Sequence, residues 1–227
     1  MPVVELRQYT VRPGRRDDLI TLFEREFVES QEDVGITLIG QFRDLDDPDR
    51  FVWLRSFPDM QARQCSLEAF YGGPVWQAHR NAANATMLES DDVLLLRPDQ
   101  GFQAARLGGR EHAGRPGVGL VLCGVHRISG PDDPVVQRFG ADFAPGLAGA
   151  GLTPVAVLLT EPAPNNFLRL PVREGEQVLV WFAVSPDPAA GEAALARARR
   201  LPGLMEFLDS PLQLLRLHPT GRSRLHG

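Results

Sequence analysis

The chain has 227 residues, 43% of them hydrophobic, which suits one large domain or two small ones with an ordinary core. A formal net charge of -5, with no basic stripe interleaved with aromatics, argues against nucleic acid as a partner. No apolar run is long enough to span a bilayer and MPVVELRQYT lacks a basic-then-apolar leader, so no membrane partner and a cytoplasmic location are expected.

In chain order, VVELRQYTV at 3 to 11 alternates as a strand does and ends at Pro13-Gly14. A helical pattern follows over 15 to 31, with Leu19, Leu22, Phe23 and Phe27 on one face. GITLIGQFRD at 35 to 44 and RFVWLRSF at 50 to 57 read as a hairpin across the Asp-rich turn LDDPD. A second helical region spans about 60 to 87, interrupted at Tyr71-Gly72-Gly73-Pro74, and a strand at 92 to 98 closes the set. Residues 99 to 117, rich in Gly and Arg without a period, read as a linker.

Beyond the linker the order repeats. Strand 118 to 128, a helix within 132 to 149, strands 153 to 160 and 176 to 185, a helix at 189 to 209 and strand 212 to 218 make a second βαββαβ set. Each set is the split βαβ pattern of a ferredoxin-like unit, with helices on one sheet face. Strand residues of both parities are apolar, Val52 and Leu54 as well as Phe51, Trp53 and Phe57, so the open face must also be covered. The expected fold is α+β: two tandem ferredoxin-like units, 1–98 and 118–220, forming an intrachain dimeric α+β barrel.

Cys65 and Cys123 lack CxxC or zinc-finger spacing and read as reduced, buried thiols, and the scattered His112, His126, His218 and His226 suggest no metal site. Phosphate-loop and serine-elbow motifs are absent from the sequence.

VELRQYTVRPG, RFVWLRSF after an Asp-Pro turn, and FYGGPVWQAHRNAANATM followed by LLLRP together resemble the NIPSNAP family, a branch of the dimeric α+β barrel superfamily. The resemblance covers 1 to 98; residues 118 to 218 match in the order of elements. It implies a ferredoxin-like α+β barrel without an agreed reaction. The superfamily it implies includes cofactor-free monooxygenases, lactone isomerases, polyketide cyclases, haem-degrading enzymes and haem peroxidase relatives. It also implies a ligand pocket between a unit's sheet and its helices, often with a histidine on the second helix.

On a helical wheel Trp76, Ala83 and Met87 fall within about 20° of one line, with Arg80 about 40° to one side and His79 about 60° to the other. On the first strand Glu5, Arg7 and Tyr9 share one face with Val3. Trp53 and Arg55 alternate on the neighbouring strand. If that face turns toward the helices, these groups converge on Trp76, His79 and Arg80, with Glu5 pairing a covered arginine.

The two halves can be aligned on Pro13-Gly14 and Ser129-Gly130, setting Glu5 against Val121, Arg7 against Cys123 and Tyr9 against Val125. Aligning VWLRSF with VWFAVS sets Trp53 against Trp181 and Arg55 against Ala183. The polar face then occurs once, which favours a single pocket in the first half.

The expected function is binding of a small planar or aromatic, partly anionic molecule, with cofactor-free oxygenation, isomerisation or cyclisation as candidate reactions. Catalytic roles fall to His79, whose ring type titrates near neutrality, and Tyr71; Glu5, Arg7, Tyr9, Trp53, Arg55, Trp76 and Arg80 would bind the ligand. No cofactor is required in this reading. The alternatives are a haem protein with His79 on the iron, and a non-catalytic binding or assembly module. Self-association is compatible with each.

Overall fold

The structure is a computed structural model and describes residues 1–100 and 119–226. The first unit runs β1 (Val3–Val11), α1, β2 (Thr37–Asp44), β3 (Arg50–Phe57), α2 (Met60–Gly72), α3 (Pro74–Thr86) and β4 (Met87–Gln100). Helix α1 starts at Arg16–Leu22, passes through a π turn at Phe23–Phe27 and ends with Val28–Glu32. The second unit repeats the order: β5 (Leu120–Arg127), α4, β6 (Thr153–Thr160), β7 (Val178–Ser185), α5 (Pro188–Ala198), α6 (Leu204–Asp209) and β8 (Gln213–Pro219). Helix α4 joins Pro134–Arg138, a π turn at Phe139–Phe143 and Ala144–Ala150.

Local chemistry explains several boundaries. Asp59 caps α2 by accepting from the Ala62 N–H at 2.7 Å. Gly73 separates α2 from α3 because a Cβ there would lie 2.8 Å from the Ala69 carbonyl oxygen. Pro74 then occupies the first turn of α3, where its missing N–H costs nothing. Met87, expected on the helix, is instead the first residue of β4, and Leu201-Pro202-Gly203 breaks the helix expected over 189 to 209. The expected linker falls largely on 101–118, outside the described residues, with β4 running on to Gln100.

The strands close into one antiparallel barrel in the order β1-β3-β2-β8-β5-β7-β6-β4. Each unit contributes four adjacent strands, and β2–β8 and β4–β6 pairing seals the two sheets together. Val4, Leu6, Val52, Leu54, Val121, Cys123, Val180 and Leu217 point inward and form the shared barrel core. Tyr9, Trp53 and Phe57 point outward and pack under α1 to α3. The opposite parity of β1 therefore faces the helices, which answers the question of orientation. Beyond β8 the chain returns to the first unit, where Thr220 N–H donates to the Gln41 carbonyl and Leu225 N–H to that of Ile39. Among the described residues no helix is long and apolar enough to cross a membrane.

Barrel parity corrects the alignment of the halves. Val121, Cys123 and Val125 face the barrel interior, whereas Glu5, Arg7 and Tyr9 face the helices. Arg7 pairs with Trp53 across β1–β3, and Gly124 pairs with Trp181 across β5–β7. The equivalents of Glu5, Arg7 and Tyr9 are therefore Leu122, Gly124 and His126. A one-residue slip exchanges the faces of a strand, which is why the turn-based alignment failed.

Candidate functional site

Strand alternation brings Glu5, Arg7 and Tyr9 onto the helix-facing side of β1, beside Trp53 and Arg55 of β3. The Glu5 carboxylate is wholly buried and accepts from three guanidiniums. Arg7 Nη1 and Arg55 Nε donate to its Oε2 at 2.8 and 2.7 Å, and Arg63 Nε of α2 donates to its Oε1 at 2.7 Å. Burial alone would push the Glu5 carboxyl up; Arg55, Arg7 and Arg63 together hold it well below the usual carboxylate range.

Polar side chains around the cluster orient the cations. Arg7 Nε donates to Tyr9 Oη at 3.0 Å, and Arg55 Nη1 to Gln31 Oε1 at 2.9 Å. Arg63 Nη1 donates to the side-chain oxygens of Asn165 and Asn166 at 3.1 and 2.7 Å. Both asparagines lie on the long β6–β7 connection of the second unit. Asn166 Nδ2 also donates to the Met60 carbonyl, and Phe167 stacks on Tyr71 with ring centroids 5.9 Å apart. The second unit thus straps the first unit's cluster.

Three guanidiniums against one carboxylate leave two uncompensated positive charges in this cluster. Arg55 Nη2, Arg63 Nη2 and Trp53 Nε1 are buried without an acceptor among the described residues. Arg7 and Arg55 lie over the Trp53 ring, with Cζ 5.4 and 5.0 Å from its centroid, which offsets part of the cost of burying them. Next to this cluster is a cavity of about 30 Å³ walled by Tyr9, Phe23, Phe27, Gln31, Trp53, Phe70, Tyr71 and Trp76. In this state it has room for about one or two waters. Burial pushes the Tyr9 phenol up, with Arg7 opposing. Tyr9 Oη accepts from Arg7, so its own proton can be directed elsewhere.

The expected site residues therefore separate into two groups. Glu5, Arg7, Tyr9, Trp53, Arg55, Tyr71 and Trp76 come together at the cluster and the cavity wall. His79 and Arg80 do not. His79 sits half-exposed at the rim, 3.3 Å from Glu26 Oε2 and edge-on to Phe27, and Arg80 is exposed. A haem does not fit here: His79 is not among the cavity-lining residues and faces the carboxylate of Glu26.

Arg63, Gln31, Asn165 and Asn166 were not anticipated. Arg63 precedes Leu67 and Phe70 at helical spacing, which marks it as facing inward. The asparagines carry no such signal, because their contact depends on how two units a hundred residues apart close together.

Comparison with known proteins places this architecture. Residues 4–100 match the family model described as NIPSNAP. A proposed monooxygenase from Lactobacillus acidophilus NCFM is similar over 99% of this chain and 98% of its own, at 12% identity and a TM-score of 0.57. A second, from Fusobacterium nucleatum, is similar over 100% and 95%, at 11% identity and a TM-score of 0.55. These likenesses show the fold. A NIPSNAP-like domain protein from Burkholderia xenovorans is 26% identical over 45% of this chain and 89% of its own, with a TM-score of 0.42. No curated protein matches the chain. Over residues 4–100 the chain is thus similar to the NIPSNAP family.

Proposed function

We propose that the first unit binds a small planar or aromatic molecule in its anionic form, between its sheet and its helices. The observation that carries this is the excess of buried positive charge around Glu5, next to an aromatic cavity whose Tyr9, Gln31 and Trp53 pack on or bond Arg7 and Arg55. All 24 basic side chains of this protein are arginines, so the signal is the number of cations on one carboxylate and not the choice of arginine.

Such a site favours a phenolate or enolate over its neutral form, because fixed cations in a dry pocket stabilise developing negative charge. Isomerisation, cyclisation and cofactor-free oxygenation of aromatic compounds all proceed through ions of this kind. Tyr9 and Tyr71 are the proton-transfer groups in this reading, with Trp53 and Trp76 as walls. Entry of a ring requires the half-buried Trp76 or the Phe167 strap to move aside.

One observation favours a structural reading instead: Arg63 is held by Asn165 and Asn166, so the cluster also staples the two units. A thermal-shift screen of wild type and Arg55→Gln with phenols and aromatic acids separates the two. Ligand-dependent stabilisation that is lost in the variant supports binding. Absence of any stabilising phenol or acid, or hits unchanged in Arg55→Gln, supports the staple alone.

A further inference from the structure

The second unit has a pocket of about 200 Å³ that opens to the surface, with His126, Phe143 and Phe207 as its buried floor and Arg138 and Leu212 on its exposed rim. His126 occupies the place that Tyr9 holds in the first unit, and only 5% of it is exposed.

The sequence builds this arrangement in a specific way. Gly124 replaces Arg7, and a Cβ there would lie 2.2 Å from Trp181 Nε1. The missing side chain lets the indole lie across β5 and donate to His126 Nε2 at 3.0 Å. A ring nitrogen that accepts a hydrogen bond carries no proton, so the neutral imidazole bears its proton on Nδ1. Burial lowers the His126 pKa to about 4, which keeps the ring neutral at physiological pH. Nδ1–H is then a donor with no acceptor among the described residues, on a ring that lines the cavity.

The walls and mouth define what could accept from it. Phe207 stacks on His126 with centroids 4.0 Å apart, and Phe143 stacks on Phe207 at 4.1 Å. Arg138 pairs with Asp142 at 3.3 Å, and the mouth adds one cation, Arg127, and one anion, Glu206. Charges about the mouth balance only with Asp142, which pairs with Arg138 outside the lining, and the buried floor of His126, Phe143 and Phe207 carries none.

We propose that this cavity is a second ligand site, separate from the cationic one, taking a neutral single-ring aromatic whose carbonyl or phenol oxygen accepts from His126 Nδ1–H.

Long-range proton–nitrogen NMR on the full ¹⁵N-labelled chain tests this, with 4-hydroxyacetophenone as probe and benzoate as the charged comparator. The free protein should show His126 as the Nδ1–H tautomer, the less common form of a free imidazole. The probe should shift both His126 nitrogens saturably, with benzoate about tenfold weaker because its charge must be buried. Cavity-filling Val135→Phe should abolish the shift, and Leu212→Trp at the more exposed wall should do the same if the first variant folds poorly. Arg80→Gln, at an exposed position of the other unit, should leave it intact. An Nε2–H tautomer, no saturable shift, or a shift that persists in both filled variants overturns the proposal.

Discussion

Arg55 Nε donates to Glu5 Oε2 at 2.7 Å with both side chains completely buried, and two further guanidiniums share the same carboxylate. Removing the carboxylate leaves three buried cations without their common anion. Glu5→Gln should therefore destabilise the protein by at least the roughly 3–5 kcal/mol that breaking a buried pair costs. Urea unfolding measures it, and a loss under about 1 kcal/mol, the scale of a surface pair, would mean that the cluster is solvated.

The same carboxylate sets an acid limit. Its folded pKa lies below the ordinary value of 4.5, so its contribution is full above that value and is lost as pH falls toward the folded one. His126 acts at milder pH. Its folded pKa of about 4 lies below the ordinary 6.5, so the unfolded chain binds a proton in that window and the folded chain does not. Stability should fall by about 3 kcal/mol between pH 6.5 and 4 from this residue alone. Unfolding curves of His126→Gln should be flatter with pH in that window; an unchanged slope would contradict a neutral, buried imidazole.

Gly124→Ala places a methyl group against the Trp181 indole and breaks its bond to His126. The expected cost is about 1–3 kcal/mol by overpacking, with loss of the His126 tautomer signal. An unchanged indole N–H resonance would show that Trp181 does not depend on the glycine.

The strap gives a fourth stability test. Asn166→Ala removes acceptors and donors to Arg63 and to the Met60 carbonyl, at a cost of about 1–3 kcal/mol. Hydrogen exchange over 161 to 177 should accelerate before that of β1, and uniform acceleration across both would show that the strap and sheet open as one unit.

Much of the fold was legible because it rests on local periodicity. β3 runs from Arg50 to Phe57 as its alternation indicated, and β6 from Thr153 to Thr160. The polar face of β1 was also legible as a set, since Glu5, Arg7 and Tyr9 share one parity. What it met was less so. His79 lies near the apolar stripe on the wheel, yet α3 turns that edge outward to Glu26, a difference of tens of degrees that periodicity does not resolve. Arg63 was hidden in a helix of mixed composition, and Asn165 and Asn166 arrive from the other unit. The register between the halves failed for a simpler reason: turns of different length moved Val121 into the place that belongs to Leu122.

The proposed anion site rests on three buried guanidiniums that share a single carboxylate. The most direct test is the ionisation of bound 4-nitrophenol, followed by absorbance at a pH below its solution pKa. A phenolate band should grow saturably with protein and fall strongly in Arg55→Gln. A probe that stays neutral when bound, or a band of equal size in the variant, would contradict it.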